Sequence, residues 1–351
     1  MNIYIITNLS SKTISFNGIQ RYAFSLINSL KKNLSTSLSV WYTSEIIQIA
    51  IFKNYPVYFP FKKIISDSLI HFTCQTFAIP LLWQRSKANV IITVHDIIPC
   101  ATKEYSSFAD HILNNLAMHG LKKAQFIIAD SEQTKKDLIN LLHIPENKIH
   151  VIYLGIDHSY FYPKKVKKQT NRILYVGSES KRKNLASLFK AIAEVKKIIP
   201  SVKLIKIGVS QDKKNHEKLV LLAKKLGIEQ NIEWKGYVEN LVEEYRKAQV
   251  FVFPSIYEGF GFPVLEAMAC GCPVICSDKS SLPEIAGDAA IYFDGCNYKD
   301  LANNIIKVLS DNKVQKTMMT KGVQQAKKFT WEKCAKETQE VYKKVYNEHH
   351  N

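Results

Sequence analysis

The sequence predicts an α/β chain of two doubly wound domains in tandem, each with a parallel sheet. Three observations carry this. At 351 residues, 46% of them hydrophobic, the chain is too long for one ordinary core and suits two domains of ~150 residues. Short apolar runs alternate with amphipathic stretches, and several runs are apolar throughout, as in strands covered on both faces. The alternation breaks at a polar stretch, residues 160–172, and then restarts.

Taken in order, NIYIIT (2–7) reads as a strand, and GIQRYAFSLINSLKK (18–32) has apolar residues at helical spacing. LSVWYT (38–43) and LIHF (69–72) are strand candidates. VIITVHDIIP (90–99) is a β-branched run containing His95-Asp96. FADHILNNLAMHGLKKA (108–124) is helical and QFIIAD (125–130) a strand. SEQTKKDLINLL (131–142) is a helix with Ser131 as its N-cap, and KIHVIYLGID (148–157) a further strand. YFYPKKVKKQTNR (160–172) carries a proline, four lysines, an arginine and no acid, and is predicted to be the linker. Strands and helices then follow in turn: ILYVGS (173–178), NLASLFKAIAEVKKIIP (184–200), VKLIKIG (202–208), HEKLVLLAKKLGI (216–228), IEWKGYV (232–238), LVEEYRKAQ (241–249) and VFVFPS (250–255). A glycine-rich turn leads into PVLEAMACG (263–271) and PVICSD (273–278), and three helical stretches close the chain. The expected divisions are 1–163, 164–327 and a closing helix over 328–351.

Apolar and aromatic content excludes a disordered chain. No apolar run approaches the ~20 residues of a membrane span. The opening residues run straight into a strand-like segment with no secretory leader, which predicts a cytoplasmic protein. Seven cysteines, an odd number, are then expected as free thiols. Cys270, Cys272 and Cys276 cluster, but in a helix end, a turn and a buried strand, where cysteine behaves as a small hydrophobe. No second Cys/His pair lies at zinc spacing, so no metal site is predicted. The net charge of +17 rests on 43 lysines and only five arginines. It calls for an anionic partner or none: nucleic acid, an anionic membrane or a phosphorylated substrate.

Four segments carry chemistry. In PSIYEGFGFPVLEAMACGCPVI (254–275), Gly259 and Gly261 permit tight turns and close ligand approach. Pro263 suits the first helical position. N–H groups near Phe262, Val264 and Leu265 would then form an anion site at the strand C-terminal ends. Glu258 precedes the turn, and Glu266 is expected in the helix's first turn, where a carboxylate can accept a pair of sugar or ribose hydroxyls. A plain glycine-rich connection is the competing reading. In YVGSESKRKNL (175–185), the strand ends at Gly177 and Arg182-Lys183 open a helix. Two cations there oppose the helix dipole, and a diphosphate would compensate them; a solvated charge run is the alternative. Gly18 opens a helix after the first strand. His95 ends a strand, facing the ligand crevice or packed in the core.

These pieces resemble family 4 glycosyltransferases, retaining enzymes of the GT-B fold. Glu258 and Glu266 match that family's E-x7-E motif, YVGSESKRKNL its segment ending R-K-N-L, and VHDIIP its His-Asp strand. NGIQRYAFSL resembles its glycine loop, SSLPEIAGDAAIYFD (280–294) the strand after the donor site, and FTWEKCAKETQEVY the closing helix that crosses back to the first domain. The nearest subgroup is mannosyltransferase-like, often using GDP-mannose in surface-polysaccharide assembly. Three departures stand out. Ser178 replaces an arginine that grips the diphosphate in many members, residues 236–249 run about two residues short, and Gly18 follows Asn17 instead of a second glycine.

The resemblance implies two Rossmann-like domains facing a cleft, the first on the acceptor side and the second binding a nucleoside-diphosphate sugar. Glu258 and His95 would contact the donor sugar, and Glu266 the ribose hydroxyls. Arg182, Lys183, Gly18, Gly177 and the turn Gly259, Phe260, Gly261, Phe262, Val264 and Leu265 would hold the diphosphate. Tyr237 and Val238 would sit at the nucleobase. No metal is implied, the chain lacks an Asp-x-Asp motif, and no cofactor beyond the donor is needed. The acceptor would be a glycan or lipid-linked saccharide, with an anionic membrane surface as partner and the protein peripheral on the inner face of the plasma membrane. Two rivals remain: a sugar-nucleotide epimerase of the same fold, and a basic nucleic-acid-binding protein. Against the latter, aromatics do not interleave with the basic runs and no nucleic-acid module appears.

Overall fold

The computed structural model describes residues 2–7, 18–33, 38–42, 48–52, 55–58, 68–82, 89–102, 107–210 and 212–350. Asn17 and the start of the expected glycine loop lie outside them. The chain forms two compact units, one of Met1–Gly155 with Thr330–Asn351, the other Ile156–Phe329.

The first unit runs β1 (Asn2–Thr7), α1 (Gly18–Asn33), β2 (Leu38–Tyr42), β3 (Gln48–Phe52), β4 (Tyr55–Tyr58), β5 (Ser68–Phe72), β6 (Asn89–Val94), α2 (Ile98–Thr102), α3 (Phe108–Leu121), β7 (Phe126–Ala129), α4 (Glu132–Leu142) and β8 (Ile149–Val151). Six strands pair in parallel in the order β2-β1-β5-β6-β7-β8, and β3 and β4 form a separate antiparallel pair. β5, β6 and β7 are buried along their whole length, as their largely apolar runs predict. Ser131 caps α4 as expected, its hydroxyl accepting the Thr134 N–H at 3.0 Å. The strand expected over 148–157 shortens to the three residues of β8. The Ile152 N–H still reaches the Ala129 carbonyl of β7 at 2.9 Å, but Leu154 and Ile156 are buried beyond the ladder, so their alternation marks burial and not strand pairing.

The second unit runs β9 (Arg172–Val176), α5 (Leu185–Ile198), β10 (Lys203–Ile207), α6 (Lys213–Lys225), β11 (Ile232–Lys235), α7 (Leu241–Lys247), β12 (Val250–Phe253), α8 (Phe262–Ala269), β13 (Val274–Ser277), α9 (Leu282–Ala286), β14 (Ala290–Phe293), α10 (Tyr298–Ser310) and α11 (Asn312–Ala326). Its sheet is wholly parallel, in the order β11-β10-β9-β12-β13-β14. The chain builds outward from β9 through β10 to β11, then jumps back and builds the other way from β12. Loops leaving β9 and β12 therefore part in opposite directions and open a crevice at the carboxyl ends of these strands. Both sequence segments richest in chemistry leave from that point.

The stretch over 160–172 is no free linker. Phe161 is buried, and the Arg246 guanidinium donates to the Tyr162 carbonyl at 2.8 and 3.1 Å while lying 4.4 Å from its ring centroid. Lys168 Nζ donates to the Ala248 carbonyl at 2.7 Å. The segment is thus strapped along α7 by bonds to backbone atoms, which composition does not reveal. The last helix, α12 (Trp331–His350), belongs to the first unit. There Tyr342 bonds His71 of β5 at 2.6 Å, and the other ring nitrogen of His71 bonds Thr93 of β6 at 2.8 Å. No described helix is long and apolar enough to cross a membrane.

Candidate active site

The site in the second unit begins where β9 ends. Gly177 and Gly208 follow β9 and β10, and a Cβ on Gly208 would stand 2.3 Å from the Gly177 carbonyl oxygen. Only glycine permits that approach, which lets the loop over 178–183 leave the sheet close to its neighbour. Lys181–Lys183 form one tight turn before α5, with Asn184 in the left-handed region at φ 54°. The Arg182 carbonyl accepts the Ile256 N–H at 2.8 Å, tying this turn to the loop that leaves β12.

Arg182, Lys183 and Glu258 converge in this loop. Lys183 Nζ lies 2.6 Å and Arg182 Nη1 3.1 Å from the same Glu258 oxygen, which also accepts the Ser255 hydroxyl. Arg182 donates a further bond to the Tyr257 carbonyl at 2.9 Å. Burial opposes charge on Glu258, but Lys183 and Arg182 outweigh it and hold the carboxyl below its ordinary range. The Glu258 backbone is fixed as well: its N–H donates to Ser280 Oγ, and the Ser280 and Ser281 hydroxyls donate to its carbonyl at 2.7 and 3.1 Å. Within the protein, a carboxylate thus answers the two cations expected to face a diphosphate. Two positive groups against one negative leave one surplus positive charge at the crevice, in surroundings that screen it poorly.

The glycine turn is built as expected, with two adjustments. α8 starts at Phe262, one residue before Pro263, behind Gly261 at φ 110°. Glu266 is its fifth residue and lies beyond the first turn; it is buried and accepts the Tyr245 hydroxyl at 2.9 Å. The Val264 N–H is spent on the Gly261 carbonyl at 3.0 Å, so it is not free for an anion. Gly259, Phe260, Val264 and Leu265 are buried, and Phe262 is half-buried. Tyr237 is 79% exposed after β11, with Val238 half-buried beside it. Gly208 N–H reaches the Lys235 and Gly236 carbonyls, linking this loop to the end of β10.

The remaining candidates, His95 and Gly18, belong to the first unit. Gly18 is exposed at the start of α1. His95 is buried, with Nδ1 3.3 Å from the Asp130 carboxylate and Nε2 3.0 Å from the Thr73 carbonyl. Both ring nitrogens thus face oxygen atoms of the first unit. Burial pushes the Asp130 carboxyl up to about 6, although the hydrogen bond from His95 pulls it down. The cysteines behave as small hydrophobes: Cys270, Cys272 and Cys276 are buried and free, with burial pushing the Cys272 thiol up to about 11. Sequence reading missed Asp130, Ser255, Ser280, Glu179 and Lys206. The last of these carried a signal, a lysine inside the apolar run VKLIKIG.

Known proteins resemble this chain in sequence and in fold. Residues 54–160 match the family described as Glycosyltransferase Family 4, and residues 158–325 the one described as Glycosyl transferases group 1. An O-antigen chain mannosyltransferase B of Escherichia coli is 31% identical over 73% of this chain and 70% of its own length. A serotype-specific mannosyltransferase WbdA of Escherichia coli is 27% identical over 70% of this chain, but over only 32% of that longer protein. Among solved structures, a sucrose-phosphate synthase from Thermosynechococcus elongatus shares the fold over 99% of both chains, with a TM-score of 0.76 at 21% identity. With two parallel six-stranded sheets and these relatives, the chain belongs to the family 4 glycosyltransferases of the GT-B fold.

Proposed function

We propose that the protein transfers a hexose, mannose from GDP-mannose as the first choice, to a glycan or lipid-linked saccharide in bacterial surface-polysaccharide assembly, with retention and without a metal ion. The observation that carries this is the Arg182–Lys183–Glu258 cluster at the switch point of a doubly wound sheet, with its surplus positive charge. As the sugar departs through an oxocarbenium-like state, negative charge grows on the β-phosphate. Fixed positive groups aimed there supply the largest single share of such catalysis. Arg182 and Lys183 take that part, with the backbone of Gly177 and of the turn Gly259–Phe262 around the diphosphate. Glu258 keeps the two cations extended before the donor arrives and faces the sugar afterwards. Glu266, oriented by Tyr245, accepts the ribose hydroxyls, and Tyr237 and Val238 lie at the base. The first unit takes the acceptor. The mannosyltransferase relatives support the sugar, and the basic excess supports a partner of negative charge. The test is incubation with GDP-mannose, UDP-glucose, UDP-N-acetylglucosamine and dTDP-rhamnose, with a lipid-linked saccharide as acceptor and EDTA present. A product whose anomeric configuration matches the donor is expected. Donor hydrolysis or isomerisation in its place, or a strict requirement for added Mn²⁺, would overturn the reading.

A further inference from the structure

Outside the cluster around Glu258, the second unit buries another ion pair. Lys206, on the apolar strand β10, is 1% exposed, and its counter-ion Glu179 is 3% exposed. The partner comes from no neighbouring strand. It comes from the loop between Gly177 and Arg182. Glu179 ties this loop to β10 and α6. One carboxylate oxygen takes the Lys206 ammonium, the other lies 2.8 Å from His216 Nδ1 on α6, and the Glu179 carbonyl accepts the Asn215 side chain. Lys206 is otherwise satisfied by the Gly208 carbonyl at 2.6 Å and by the Trp234 ring, 5.6 Å away. His216 closes the cluster edge-on to Trp234, with centroids 5.1 Å apart. Burial works against the Glu179 charge, yet Lys206 and His216 hold its carboxyl below the ordinary range.

A buried pair of this kind adds little stability, because desolvating two charges offsets most of their attraction; apolar side chains of the same size do as well or better. What the pair does that leucine and methionine would not is fix one loop conformation by direction. We propose that the Glu179–Lys206 pair, braced by His216, is a positioning device that holds the loop over 178–183 so that Arg182 and Lys183 meet the donor's β-phosphate. The loop is then pinned at both ends, to β10 and α6 through Glu179 and to the β12 loop through the Arg182 carbonyl. This rests on reading 177–183 as the phosphate loop, and the experiment separates the two.

The test measures, by calorimetry, the affinities of GDP, UDP, dTDP and ADP and of the matching nucleoside monophosphates. It compares the parent chain, Glu179→Leu/Lys206→Met, His216→Leu and Arg182→Ala. The double variant is expected to keep its melting temperature while the diphosphate-over-monophosphate preference falls about tenfold, the scale of one charge-assisted hydrogen bond. His216→Leu, at a half-exposed side chain, should lower the preference severalfold and decides the matter if the double variant does not fold. A loss in Arg182→Ala with the parent preference in the double variant, or in His216→Leu where that one decides, would overturn the positioning role alone. An unchanged preference in Arg182→Ala, or no binding by any of the diphosphates, would overturn the phosphate reading itself.

Discussion

At the scale of single residues, Arg182 and Lys183 share one oxygen of Glu258. Arg182→Ala and Lys183→Ala should each lower kcat by about 10²-fold, the cost of removing one transition-state donor. Wild-type turnover in either would remove that residue from the site. Glu266→Ala should weaken nucleotide binding in calorimetry, because both the proposed ribose acceptor and the partner of Tyr245 are lost; an unchanged affinity would exclude the ribose role. The residues of this cluster were legible because glycines and prolines punctuate the loops that carry them, and because arginine is rare in the chain. Their mutual pairing was not. Spacing along the chain says nothing of a contact between residues 183 and 258. Glu179 was hidden for the same reason, its partner lying 27 residues on, in strand β10.

At the scale of elements, the parallel strands were readable from runs apolar on both faces. The pair β3 and β4 escaped, and Pro56 within β4 weakens any strand pattern there. The strap over 160–172 looked like a linker because its anchors are backbone carbonyls. The turn before α8 depends on Gly261, whose φ of 110° suits no side chain and where a Cβ would meet Leu282 at 2.9 Å. Gly261→Ala should cost about 1–3 kcal/mol, the scale of a strained backbone position, read from denaturant unfolding. The return of α12 to the first unit is held by the chain Tyr342–His71–Thr93–Tyr22. Burial keeps His71 neutral, with its pKa down at about 3 against an ordinary 6.5. Between these values the unfolded chain binds the extra proton. Stability is therefore full above pH 6.5 and falls on acidification towards pH 3, by about 1.4 kcal/mol per pH unit from this group. Tyr342→Phe should cost about 1–3 kcal/mol by leaving one ring nitrogen unpaired. A flat stability profile between pH 4 and 6 would contradict the assignment.

At the scale of the whole molecule, the basic excess has a distribution. Residues 1–163 carry a net +5 and the remainder +12, and residues 164–183 alone hold eight basic residues and one acid. Arg182 and Lys183 are the two proposed to meet the donor. Lys164, Lys165 and Lys167 are exposed, beside the half-exposed Tyr160 and Tyr162. Basic side chains near an anionic bilayer contribute about 1 kcal/mol each. Co-sedimentation with phosphatidylserine vesicles is therefore expected at low salt, lost at high salt and in a variant with all three lysines changed to glutamine. Failure to sediment at low salt would leave the lysines without a membrane role. The central claim, a nucleoside-diphosphate site at the β9–β12 switch point, is tested most directly by thermal shift against GDP, UDP, dTDP and ADP. One diphosphate should raise the melting temperature in a concentration-dependent way, about 2.7 kcal/mol of stabilisation at a hundredfold excess over Kd, and Arg182→Ala should reduce the shift at the same concentration. No shift with any of the four, or the same shift in Arg182→Ala, would contradict it.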